Sequence, residues 1–258
     1  MKDSIKNSLK AIKIRLEIYR MGRSKIYYDT FVSSKLAAID AKAKRPYRYD
    51  IINFLAKQIN AQNYLEIGVR NPADNFNLIN CVNKFSVDPG VEFELNPVDF
   101  QMTSDDFFQK LNEDALKIKS SIKFDVIFID GLHLAEQVEK DIFNAMQFLS
   151  EEGFIVLHDC NPPTEFHARE NFEFNFTPAG GAWNGTTWKA FVKARKMYHS
   201  CCIDTDWGVG IVSKKERPLL NILGSNENNF FEYNDFSLKR QEQLNLISFD
   251  IFTKSFQS

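Results

Sequence analysis

Two apolar, β-branched runs that each end in a carboxylate constrain this chain most: Phe124-Asp-Val-Ile-Phe-Ile-Asp130-Gly131-Leu-His133 and Gly153-Phe-Ile-Val-Leu-His158-Asp159. Continuous apolar runs of this length suit parallel strands covered on both faces, and Asp-Gly supplies turn chemistry where the first one stops. Residues 135–149, between them, have helical periodicity. Strand, helix, strand in that order predicts neighbouring parallel strands, with Asp130 and Asp159 at one carboxyl-terminal edge, about 5 Å apart by strand spacing. Ligands of open α/β sheets bind at that edge.

The rest of the chain extends the alternation. Residues 49–60 read as a helix, 64–69 as strand one, 75–83 as a helix, 85–88 as a short strand two and 98–102 as strand three. Ser104-Asp105-Asp106 reads as the N-terminal cap of a helix through 116. Residues 188–197 read as a helix, and 200–213 as two strands about a turn. The expected architecture is a doubly wound, Rossmann-like α/β fold: a seven-stranded, mostly parallel sheet closed by a C-terminal antiparallel hairpin. The expected organisation is a basic helical extension over 1–48, the sheet domain over 49–214 and a helical extension over 215–258.

Charge sets the N-terminus apart. Residues 1–48 hold 13 Lys/Arg against Asp3, Glu17, Asp29 and Asp40, a net +9, leaving −11 for the rest of a chain whose total is −2. Ile5, Leu9, Ile12, Leu16 and Tyr19 recur at helical spacing among Lys6, Lys10, Lys13 and Arg20, giving an amphipathic basic helix. Such a helix packs on the body or on a second subunit of a homo-oligomer, lies on an anionic membrane surface, or contacts nucleic acid. The last carries least weight, so no nucleic-acid partner is expected. No apolar run approaches the length of a membrane span and the N-terminus lacks a signal-peptide core, which predicts a cytoplasmic protein. Cys81, Cys160, Cys201 and Cys202 show no Cys-x-x-Cys spacing, so reduced structural thiols are expected.

Glu66-x-Gly68 after strand one, Asp88 ending strand two, Ser104-Asp105 after strand three, Asp130-Gly-x-His133 after strand four and the final hairpin together resemble a class I S-adenosylmethionine-dependent methyltransferase, over roughly residues 50–214. Within that superfamily the chain most resembles bacterial small-molecule and sugar methyltransferases whose fourth strand ends Ile-Asp-Gly-x-His and whose fifth ends in His-Asp or a comparable acidic pair. The resemblance implies S-adenosylmethionine as cofactor and O-methylation of a small hydroxylated acceptor: a sugar, glycan precursor or secondary metabolite. It also implies cofactor contacts from Glu66, Gly68, Asp88, Ser104, Asp105 and Asp130. One departure is clear: the family loop usually carries a second glycine near 70 or 72, where this chain has Arg70-Asn71-Pro72-Ala73-Asp74.

The chemistry of each position can be argued separately. Gly68 lets backbone approach a ligand, and Glu66 attracts an ammonium or sulfonium group. Asp88, 22 residues after Glu66, is spaced to accept hydrogen bonds from two ribose hydroxyls, whereas the absence of Gly-x-Gly-x-x-Gly argues against a nicotinamide cofactor. Ser104 and Asp105 fall beside the adenine, or Ser104 only caps a helix. Two of the four histidines lie at the predicted mouth. There His133 is a candidate general base, with Asp159 as the second catalytic residue, and Asp130, His158 and Asp159 are candidate ligands for Mg²⁺ or Mn²⁺. The plainer alternatives are a helix cap for His133, a turn residue for Asp130 and a hydrogen-bonded core histidine for His158. Trp183 and Asn184 sit in a long Gly- and Pro-rich stretch that suits a lid or acceptor-binding surface, and Trp188 reads as a core anchor. Two other functions compete: a noncatalytic binding or assembly module on the cofactor fold, and a metal-dependent hydroxylase or hydrolase on a similar sheet.

Overall fold

The computed structural model describes residues 25–92, 97–174, 176–224 and 232–256, together with 9, 12, 13, 15, 16 and 18 of the N-terminal segment. In chain order the elements are α1 (Lys25–Ala43), α2 (Arg48–Gln58), β1 (Asn63–Ile67), β2 (Asn83–Val87), α3 (Ser104–Asn112), β3 (Phe124–Ile129), α4 (Ala135–Phe148), β4 (Leu149–Leu157), α5 (Thr187–Ala194), β5 (His199–Ile203) and β6 (Val209–Ser213). They continue with α6 (Tyr233–Leu238), α7 (Arg240–Leu244), β7 (Leu246–Ile247) and α8 (Phe249–Lys254). The strands form one seven-stranded sheet in the order β2-β1-β3-β4-β6-β5-β7. The first four are parallel, and β6 runs antiparallel to both β4 and β5. This is the expected Rossmann-like sheet with its antiparallel hairpin.

The apolar runs have two buried faces because helices cover both sides. Along β4, Ile155 and Leu157 face one layer, with Phe107, Phe108, Val138, Ile142 and Phe191 of α3, α4 and α5, whereas Phe154 and Val156 face Ile51, Ile52 and Leu55 of α2 and Phe252 of α8. Successive side chains alternate across a strand, so a strand covered on both faces must be apolar throughout. Trp188 is buried against Phe236 at 4.2 Å, as expected of a core anchor. The four cysteines are free.

Several local expectations are corrected. Residues 75–83 form no α-helix; two 3₁₀ turns, Pro72–Asp74 and Phe76–Leu78, lead into β2. Side chains there satisfy the backbone in place of a helical ladder: Asn71 accepts from the Ala73 N–H and Asn53 from the Asn80 N–H. Residues 98–102 form no strand, only a bridge between Phe100 and Val87, because the Asp99 carboxylate accepts from the Ser86 N–H and hydroxyl where a strand neighbour would pair. The seventh strand is instead β7, from the expected C-terminal helical extension, pairing with β5. The cap of α3 is Thr103, whose hydroxyl accepts from the Asp106 N–H, and Ser104 is the first helical residue. That helix stops at Asn112, and Asp114 follows in the left-handed region at φ 53°.

Buried Arg195 ties the tail to the sheet, donating to the Gln243 carbonyl at 2.6 Å, the Ser200 carbonyl at 2.7 Å and Asn221 Oδ1 at 3.0 Å. At the other end, α1 meets the loop beyond β4 through Ser34 and Thr164, 3.0 Å apart, and Lys44 donates to Asp204 at 2.9 Å. Leu9, Ile12 and Leu16 of the predicted basic helix are helical and exposed; Ile5 and Tyr19 of that stripe lie outside the described residues. No described helix is long and apolar enough to cross a membrane.

Candidate functional site

The strand order reverses direction between β1 and β3, the topological switch point where ligands of open α/β sheets bind. Gly68 and Asp130 follow these two strands, and their backbones are so close that a Cβ on Gly68 would stand 2.4 Å from the Asp130 carbonyl oxygen. With φ at 87° as well, Gly68 is required for the strand ends to meet, a stricter demand than ligand approach. The loop after it is a capped turn: Asn71 is extended, as a residue before proline must be, and its side chain caps the turn opened by Pro72.

Glu66 points into the protein and is 3% exposed. Its Oε2 accepts from the Tyr64 hydroxyl at 2.6 Å and from Asn75 Nδ2 at 2.8 Å. Burial raises its pKa to about 7, against the pull of these two donors. Asp88 ends β2 and accepts from the Gly90 N–H at 2.7 Å, which sets its turn. Ser104 and Asp105 both accept from Gln137 Nε2, at 3.2 and 3.0 Å, so they join α3 to α4.

At the ends of β3 and β4 the structure assembles Asp130, His133, His158 and Asp159. Ile129 pairs with Leu157, which places Asp130 beside His158. Asp159 then turns the chain at φ 59°, a conformation aspartate tolerates better than most side chains. His133 Nε2 lies 3.3 Å from Asp130 Oδ1, and its Nδ1 lies 3.3 Å from Asp159 Oδ2. His158 is buried, with Nδ1 3.2 Å from Asp130 Oδ1 and 3.3 Å from Asp159 Oδ2, and Nε2 3.6 Å from Asp206 Oδ1. Ligand atoms of Asp130, His133 and Asp159 all fall within 4.8 Å of one another, so His133 takes the place expected for His158 in a possible metal set. His158 instead turns Nδ1 to Asp130 and Asp159, and its Nε2 lies beyond hydrogen-bond range of Asp206.

Two residues of this network escaped the sequence reading. Asp206, in the turn between β5 and β6, accepts from the Arg48 backbone N–H at 2.9 Å and from Arg48 Nη1 at 3.2 Å. Arg48 Nε also lies 3.8 Å from Asp130 Oδ2. Locally, Asp204-Thr-Asp206-Trp-Gly reads as turn composition, and Arg48 is one of many basic residues; only the assembled sheet brings them together. Asp206 and Trp207 both adopt left-handed backbone, φ 42° and 65°, of the strained kind that clusters at functional sites.

Three carboxylates, Asp130, Asp159 and Asp206, thus face three basic groups, Arg48, His133 and His158. Burial opposes charge on the histidines, but Asp159 and Asp130 outweigh it and raise both pKa values, that of His158 strongly. Asp130 is held well below the usual carboxylate range, its burial outweighed by His158, His133 and Arg48. Asp206 is lowered to about 2, its burial outweighed by His158 and Arg48. The arrangement can hold a cation between Asp130 and Asp159 and move a proton at His133.

Residues 88–160 match a protein-family model described as a methyltransferase domain. No curated protein matches the chain. Among solved structures it is similar to the O-methyltransferase from Bacillus cereus in complex with SAH, at 14% identity and TM-score 0.43, covering 72% of this chain and 91% of that one. It is similar to the SAH-bound methyltransferase of Podospora anserina at 13% identity and TM-score 0.42, covering 80% and 96%. For the O-methyltransferase of Streptomyces achromogenes involved in tomaymycin synthesis, in complex with SAM, the values are 12%, 0.40, 71% and 88%. The family match spans the stretch from Asp88 through the ends of β3 and β4, where the site assembles on a Rossmann-like sheet, and that stretch is similar to a methyltransferase domain.

Proposed function

We propose that the protein methylates an oxygen of a small hydroxylated acceptor, a sugar, glycan precursor or secondary metabolite, with His133 as general base and Asp159 orienting the acceptor hydroxyl. The observation that carries this reading is the convergence of Asp130, His133 and Asp159, from two neighbouring strand ends, within 4.8 Å at the sheet's carboxyl edge. S-adenosylmethionine supplies an electrophilic methyl group on its sulfonium. For its binding we assign Glu66 to the ammonium end, Gly68 and Asp130 to the strand-end floor, Asp88 to the ribose hydroxyls, and Ser104 with Asp105 to the adenine.

His133 is favoured as imidazolium by Asp159 and Asp130; it becomes a base once further positive charge lies between them. The carboxylates of Asp130 and Asp159 fit Mg²⁺ or Mn²⁺, hard cations that favour oxygen donors, and such an ion would lower the pKa of a bound hydroxyl and leave His133 free to take its proton. The test is mass-spectrometric detection of methylated products after incubation with S-adenosylmethionine and a metabolite extract, for wild type and His133→Ala, with and without EDTA. General-base loss is expected to slow transfer about 10²- to 10⁴-fold. Near-wild-type transfer by His133→Ala would falsify the base assignment, and full activity in EDTA removes the metal.

A further inference from the structure

The segment Trp183-Asn184-Gly185-Thr186 touches the reactive residues more closely than any acceptor-binding surface needs to. The Trp183 indole stacks on the His133 imidazole, with ring centroids 5.2 Å apart and planes 25° apart. Phe172 covers Trp183 at 5.2 Å. The indole N–H donates to the Arg169 carbonyl at 2.6 Å. Both the ring and its polar handle are therefore engaged by protein groups.

The next residues repeat the pattern. Asn184 is fully buried and donates through Nδ2 to Asp159 Oδ1 at 2.6 Å. The Thr186 N–H donates to the His133 carbonyl at 2.8 Å, and the Thr186 hydroxyl accepts from the Ala135 N–H at 2.7 Å. Gly185, at φ 61°, lies so close to His133 that a Cβ there would stand 2.2 Å from its carbonyl oxygen. The segment is itself braced: the Asn184 and Gly185 N–H groups donate to the His167 carbonyl at 3.0 and 3.1 Å. The Arg169 guanidinium donates to the carbonyls of Phe166, Gly180 and Ala182 at 2.7 to 3.0 Å.

We propose that Trp183 and Asn184 form a positioning clamp, Trp183 setting the plane of the His133 ring and Asn184 the rotamer of Asp159, in place of the acceptor-binding role expected from composition. The chemical reason is geometric: a base must meet its proton within hydrogen-bond reach, and a displacement of about 1 Å can cost 10²-fold in rate. His133 follows a strand end on a short turn; Asp130 and Asp159 hold its ring nitrogens, and the indole stacked on its face restrains the plane of the ring. The clamp's catalytic consequence rests on the base assignment for His133, whereas its geometry does not.

The two are separated by reading the ring directly. His133 ring protons lie over an indole face, so NMR of the histidine ring carbons, with His133 identified by its loss in His133→Gln, should show upfield ring-current shifts. These should vanish in Trp183→Ala and persist in part in Trp183→Phe. Transfer of labelled methyl from S-adenosylmethionine to a pooled metabolite extract should fall about 10²-fold in kcat for Trp183→Ala, recover in Trp183→Phe, and leave S-adenosylmethionine affinity nearly unchanged in both. An unmoved His133 resonance in Trp183→Ala, or a cofactor affinity that falls in step with kcat, overturns the clamp. Full turnover by His133→Gln with the resonance still moved in Trp183→Ala sinks the base assignment and leaves the clamp standing.

Discussion

Glu66→Gln should make the protein's stability less dependent on pH, in a direction opposite to ordinary acid denaturation. Glu66 is 3% exposed, and its pKa rises from an ordinary 4.5 to about 7 because burial outweighs the hydrogen bonds from Tyr64 and Asn75. Between these values the folded chain holds a proton that the unfolded chain has released. This contribution is therefore fully present below pH 4.5 and is lost as pH rises through 7. At 1.36 kcal/mol per unit the whole effect is about 3 kcal/mol, a large part of a typical domain's stability. The glutamine oxygen can accept the same two donors and never ionises, so the variant should gain about 3 kcal/mol relative to wild type between pH 4.5 and 8. Urea unfolding of both proteins at several pH values across that window measures it. Buried Asp141, whose pKa burial raises to about 6, slopes in the same direction but cancels in the difference between the two proteins. Parallel stability curves would refute the reasoning and mean that Glu66 stays ionised in the folded protein.

Three further outcomes are expected. Asp88→Ala should weaken S-adenosylmethionine binding in calorimetric titration, and equal affinity in both proteins would remove Asp88 from the cofactor site. Gly68→Ala should cost about 3–5 kcal/mol in denaturant unfolding, because the added carbon meets the Asp130 backbone and the left-handed φ is strained; a loss under about 1 kcal/mol would show that the strand ends part easily. Asp159→Asn keeps the shape and tolerates the left-handed backbone, yet removes a charge that faces both His133 and His158. It should lower methyl transfer at least as far as His133→Ala does, and a mild effect would limit Asp159 to structure.

The strand-end carboxylates, the β/α alternation, the antiparallel hairpin and the family resemblance could all be read along the chain, because each depends on periodicity or on residues a few positions apart. Apolar runs announce strands covered on both faces, and an acidic residue at the end of such a run marks the ligand edge. What lay beyond the sequence was decided by contacts between distant segments. The third expected strand failed because Asp99 takes up the Ser86 backbone, and the seventh arrived from a tail held by Arg195. Arg48 and Asp206 entered the site across 158 residues of chain, and Trp183 came to lie on a histidine 50 residues earlier. Sequence patterns report which surfaces a segment must bury. Which partner buries them, and which charge meets which, depends on distances that exist only once the sheet has assembled.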